Sequence, residues 1–133
     1  WPLTTPLATF ELSVSDITTF HSYGPLVNLM QNISDLDEIQ RGRPIICTEW
    51  LARPYGSTLF THLDYFQSNK IGAIQWGLVA GRSQTYYQWK SPKHAPMPRI
   101  WFHDVLYPNG TPFSLLEEKF YGEIGQRNSL KIV

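Results

Sequence analysis

The sequence predicts an α/β chain built around a parallel sheet. Between Asp16 and Gly81, strand-like runs alternate with helix-periodic runs in the order strand, helix, strand, helix, strand. That order is the mark of crossover units joining parallel strands. The run "IGAIQWGLVAG" is apolar almost throughout, as expected of a strand buried on both faces. Each predicted strand also ends in polar or aromatic side chains, at the end where α/β folds bind ligands.

The elements follow in order. The segment up to about residue 15 is poorly patterned, and Pro2 and Pro6 argue against a regular helix at its start. "DITTFHSYG" reads as a strand stopped by Gly24-Pro25. Leu26, Leu29, Met30, Ile33, Leu36 and Ile39 repeat at helical spacing, with Gly42 placed as a C-cap. "RPIICTEW" is a short strand with Pro44 at its tolerated first position. In "GSTLFTHLDYFQSNK", Ser57 or Thr58 caps a helix whose inward face is Leu59, Phe60, Leu63 and Phe66. Beyond Gly81 comes a long aromatic loop holding five of the ten prolines, with a turn at "PNG". A last helix starts at Ser114, with Glu117 in capping-box position. The strand–helix units thus fill about 1–81, the loop and final helix about 82–125, and a tail 126–133.

Composition bounds the function. The 133 residues are one domain's worth of chain at most, and 42% hydrophobic content is enough for a core. Eleven basic and eleven acidic residues balance, so neither nucleic acid nor an anionic membrane is an expected partner. No apolar run approaches the roughly 20 residues of a membrane span, and the start "WPLTTPLATF" lacks the pattern of a signal peptide. A single cysteine, Cys47, allows no internal disulfide and no cysteine-based metal cluster. Its place in "PIICTE" suits a small buried hydrophobe. "NIS" at Asn32 and "NGT" at Asn109 match the glycosylation tripeptide, a common pattern by chance. "WFHD" offers His103 and Asp104 without a second histidine at metal-ligand spacing. Neither a glycine-rich phosphate loop nor a Gly-x-Ser-x-Gly elbow occurs. No metal or cofactor is expected.

The strand ends supply the candidate site: His21 and Tyr23, then Glu49 and Trp50, then Gln75 and Trp76, with Gln84 and Tyr86 beyond. A lone histidine is more often a satisfied structural residue than a catalytic one, and a tryptophan in an apolar strand is usually core. Glu49 stands apart, because an ionised carboxylate closing an apolar strand loses hydration and needs compensation.

At "SDITTFHSYGP", "GRPIICTEWLARPYGSTLFTHL", "KIGAIQWGLVAGRSQTYYQW" and "WFHDVLYPNGTPF", the chain resembles the carboxyl-terminal half of clan A glycoside hydrolases. The look is that of family 5-like, xylanase- or cellulase-type enzymes, with family 2 β-glycosidases more distant. The resemblance covers about Trp1 to Phe113. It implies roughly strands five to eight of a TIM (β/α)8 barrel, acting on a β-linked oligo- or polysaccharide with retention, outside the cytoplasm. Glu49 is implied as nucleophile, Tyr23 as the group orienting it, and His21 as a cleft neighbour. Trp76 is implied as the sugar platform, with Trp50, Arg53, Gln84, Tyr86, Tyr87 and Trp89 as further subsite contacts.

The sequence departs from the family pattern at one point. The acid/base of such enzymes stands in an Asn-Glu pair ending the fourth strand, and no Asn-Glu occurs here. "WPLTT" matches the fifth strand, so strands one to four are expected from elsewhere: a longer product, a second copy, or a complementing amino-terminal half barrel. The alternative is a non-catalytic carbohydrate-binding or interaction module that keeps the aromatics.

Overall fold

The computed structural model describes residues 5–40 and 42–129. It is an α/β fold with a three-stranded parallel sheet. Helix α1 (Pro6–Val14) precedes strand β1 (Thr18–Ser22), helix α2 (Leu26–Gln40), strand β2 (Ile45–Trp50), helix α3 (Leu59–Ser68), strand β3 (Gly72–Ala73) and helix α4 (Leu115–Ser129). The strands lie side by side in chain order. The expected fifth-strand match "WPLTT" falls at Trp1–Thr4, outside the described residues, and Thr5.

Helix α1 corrects the expectation of an irregular start. Pro6 occupies its first turn, and the Thr5 hydroxyl accepts from the Ala8 amide at 3.2 Å. Proline breaks helix interiors but fits N1, where the missing N–H would have had no intrahelical partner. Only Leu12 of this helix is buried; Leu7, Phe10 and Val14 are exposed.

Helices α2 and α3 supply the core partners of the sheet. Phe20, Cys47 and Trp50 from the strands join Leu29, Ile33, Leu36, Leu59 and Phe66 in one buried cluster. Thr58 caps α3 in a reciprocal capping box with Thr61. Phe60, expected inward, is half exposed and leans on Phe120 of α4 at 5.2 Å. Gly42 has φ 82°, the left-handed geometry suited to the residue after a helix.

The run "IGAIQWGLVAG" is not the doubly buried strand its composition suggests. Strand β3 ends at Ala73, with the Ile74 and Trp76 amides still bonding to β2, and Ile74, Trp76, Leu78 and Val79 are all exposed. Burial on both faces needs a layer on each side; among the described residues no further strand flanks β3. The chain beyond is anchored differently, by a parallel bridge from Val79 to Leu106. Within the long loop, Trp101 to Val105 are buried. Helix α4 continues through Ser129, beyond the expected start of a tail. The Glu117 amide donates to the Ser114 hydroxyl at 3.3 Å, but the Glu117 carboxylate does not return to close a capping box; it binds Arg53.

Candidate active site

A register shift builds the site. Phe20 of β1 pairs with Cys47 of β2, but His21 pairs with Glu49. One extra residue, Thr48, therefore sits in β2 between those pairs, a local bulge of the kind that re-aims side chains. The bulge puts Glu49, rather than Thr48, opposite His21. Side chains alternate along a strand, so Trp50 faces the opposite way, into the core with Ser22 as partner.

Two side chains converge on one oxygen of Glu49. Tyr23 donates its hydroxyl to Oε2 at 2.6 Å, and His21 places Nδ1 at 3.2 Å from the same Oε2. Among the described residues, Oε1 has no hydrogen-bond partner. The carboxylate retains 24% of its side-chain exposure. Burial, then the bond to Glu49 and its negative charge, raise the Tyr23 phenol well above the ordinary 10.0, so the hydroxyl stays a donor. The neighbouring Cys47 thiol, raised to about 12 chiefly by burial, is protonated and donates to the Glu49 carbonyl at 3.3 Å. It is a packing residue, not a nucleophile.

The chain leaving β2 is held in a fixed path. Leu51 adopts φ 75°, a strained conformation for a side-chain-bearing residue. Its amide donates to the Ser57 hydroxyl at 3.1 Å, and its carbonyl accepts from His103 Nδ1. That bond sets the His103 tautomer and leaves Nε2 as the other ring nitrogen, buried and without a partner among the described residues. Burial lowers the His103 pKa, keeping the ring neutral.

Two expected substrate contacts are corrected by their surroundings. Trp50 is 1% exposed and stacks on His62 at 5.9 Å, so no sugar can reach its face. Arg53 is a clasp. Its guanidinium forms a bidentate pair with Glu117, at 2.7 Å on each arm. Nη1 also donates to the carbonyls of Trp101, His103 and Asp104 at 3.0, 3.2 and 3.1 Å. With 6% side-chain exposure, it ties the β2 exit to the 101–104 loop and to α4 and faces no cleft.

The other aromatics divide. Trp76 and Trp89 are 44% and 47% exposed. Trp76 is pinned by its amide to the Trp50 carbonyl at 3.1 Å. Trp89 meets Tyr23 edge-on at 4.8 Å and Phe102 at 4.7 Å, bringing a residue 66 positions away in sequence against the Glu49 cluster. Both tryptophans line an open cavity of about 680 Å³ with Gln84, Tyr87 and His103. Tyr86 does not line it; that ring packs on Trp101 at 5.6 Å. Gln75 turns its side-chain amide to the Gly77 carbonyl at 2.7 Å.

His103 is the site residue that sequence reasoning missed. Its ring lies 5.4 Å from Tyr23 and 5.6 Å from Trp89. The signal was present in "WFHD", a histidine and an acid inside an apolar run, but spacing for metal ligands was the wrong test. Among the described residues no group of three or more His, Cys, Asp or Glu side chains is placed to hold a metal ion. No described helix is long and apolar enough to cross a membrane. Comparisons of the chain with protein-family models, with curated proteins and with solved structures find no match.

Proposed function

We propose that this chain is the nucleophile-bearing half of a retaining glycoside hydrolase acting on a β-linked glycan. The observation that carries the reading is the asymmetry of Glu49: Oε2 accepts from Tyr23 and lies 3.2 Å from His21 Nδ1, while among the described residues Oε1 has no hydrogen-bond partner. A nucleophilic carboxylate needs that division, one oxygen fixed and the other free to attack. In the first step Oε1 bonds to the anomeric carbon as the glycosidic C–O bond breaks, giving a glycosyl ester and a leaving alkoxide that must be protonated. Water then cleaves the ester and returns the carboxylate. Trp76 and Trp89 supply the apolar faces on which sugar rings stack.

Protonating the leaving group requires a second carboxyl roughly 5–5.5 Å from the first. That carboxyl is supplied by a complementing half barrel. Three features support a missing layer: the outer edge of β1 has no strand partner among the described residues, the apolar run from Ile74 to Val79 is exposed, and a cavity of about 430 Å³ opens between α1 and β1. An unpaired edge and an uncovered apolar face are both features that folded proteins normally cover.

The lack of an Asn-Glu pair in the sequence favours one rival, a carbohydrate-binding module without catalysis. An aryl glycoside with an excellent leaving group separates the two, because its departure needs little protonation. The proposal expects slow phenolate release by the chain alone and none by Glu49→Gln. The rival expects no release from either protein, with glycan affinity unchanged in Glu49→Gln and lost in Trp76→Ala.

A further inference from the structure

The charge of the chain balances only on average. Between Asp64 and Asp104 stand five basic residues, Lys70, Arg82, Lys90, Lys93 and Arg99, and no acidic one. Two of them, Lys90 and Lys93, line the cavity of Trp76 and Trp89, together with His94. Neither lysine has a carboxylate partner among the described residues. The cavity lining contains no carboxylate. Asp104 is buried, and both its oxygens accept from the hydroxyl of the lining residue Thr85 at 2.8 Å. Glu49 lies across Tyr23 from Trp89 and is not part of the wall.

The loop presenting these cations is built and strained. Gln84, Lys90 and His94 have φ of 55°, 65° and 66°, three of the five non-glycine residues with positive φ among the described residues. All three line this cavity. A left-handed conformation is unfavourable for a residue that carries a side chain, and such strain gathers at ligand clamps. Tyr87 fastens the loop by donating to the Ala95 carbonyl at 2.8 Å, and Gln88 reaches the Tyr55 hydroxyl at 3.0 Å. A neutral sugar has no use for two unpaired ammonium groups on such a rim; an anionic one gains charge-assisted hydrogen bonds from both.

We propose that the cavity selects an acidic glycan, whose carboxylate or sulfate is held by Lys90 and Lys93 while its rings stack on Trp76 and Trp89. This rests on reading the Glu49 site as a glycoside site. The test is a tryptophan-fluorescence titration of the full chain with β-1,4-linked glucose and mannose hexasaccharides. Their C6-oxidised counterparts and a 6-O-sulfated glucose hexasaccharide are titrated alongside. At low salt at least one acidic sugar is expected to bind about five- to tenfold tighter than its neutral parent. The advantage should vanish at high salt and in Lys90→Gln/Lys93→Gln, whose affinity for the neutral sugars is unchanged. The stronger of the oxidised and sulfated arms identifies the anion. Equal binding of neutral and acidic sugars overturns this inference alone, as does an advantage that survives in the double variant. A single-stranded oligonucleotide binding as tightly as the acidic sugars also overturns it, by showing a patch with no preference for sugar. Binding of no sugar at all overturns both this inference and the proposed function.

Discussion

Removing the Arg53 guanidinium should be the most damaging single change near the site, although Arg53 touches no cleft. Arg53 and Glu117 retain 6% and 8% side-chain exposure. Breaking a buried pair from one side leaves the other charge uncompensated, at about 3–5 kcal/mol. In Arg53→Met the carbonyls of Trp101, His103 and Asp104 lose their shared donor as well. With the unfolding entropy of a chain this long, the loss corresponds to a melting temperature lowered by roughly 10–18 °C. The double variant Arg53→Met/Glu117→Leu removes the stranded carboxylate but not the lost carbonyl bonds. It should therefore be more stable than Arg53→Met, with a coupling energy between the two positions of about 2–3 kcal/mol. Urea unfolding followed by tryptophan fluorescence measures the cycle, since Trp50 and Trp101 are both buried. A coupling below about 0.5 kcal/mol would refute the claim that this pair fastens the loop to the sheet.

Gly77 should not tolerate a side chain. At φ 80° an added Cβ would lie 2.8 Å from His103 Cβ and 2.9 Å from Asp104 Oδ1. Gly77→Ala is expected to lose about 2–4 kcal/mol from backbone strain and overpacking together; a loss under about 1 kcal/mol in urea unfolding would contradict the placement. Acid should destabilise the fold before most carboxylates titrate. Burial lowers His62 and His103 below the ordinary 6.5, so the unfolded chain binds more protons, and the stability present above pH 6.5 is lost as pH falls. Thermal melts should decline below that pH, and less steeply in His62→Leu; a flat profile down to pH 5 would contradict it. Tyr23→Phe keeps the ring contacts with Trp89 and His103 but removes the donor to Glu49. Glycosylation should slow about ten- to a hundredfold with an unchanged melting temperature; an unchanged rate would remove Tyr23 from the chemistry.

Helices α2 and α3 and strands β1 and β2 were legible because their apolar spacing answers to local geometry, and α3 carries its own cap. Helix α1 was hidden by treating Pro6 as a breaker when it stands in the first turn. The "IGAIQWGLVAG" run was overread, since apolar composition reports what a segment is suited to pack against and not whether a second layer is there. Trp50 could have been assigned correctly: if Glu49 points to a cleft, its strand neighbour points away. Arg53 could not, because Glu117 lies 64 positions along the chain. The bulge that sets Glu49 beside His21 is likewise a pairing property, invisible in either strand alone. The cationic rim was masked by a net charge of zero.

Covalent trapping asks whether Glu49 is the nucleophile. The chain is incubated with dinitrophenyl 2-deoxy-2-fluoro-β-glycosides of the gluco, manno and xylo series, digested, and analysed by peptide mass spectrometry. One fluoroglycosyl group is expected, carried by Glu49, slower to appear in Tyr23→Phe and absent in Glu49→Gln. A label on any other residue, or none from all three sugars, would contradict it.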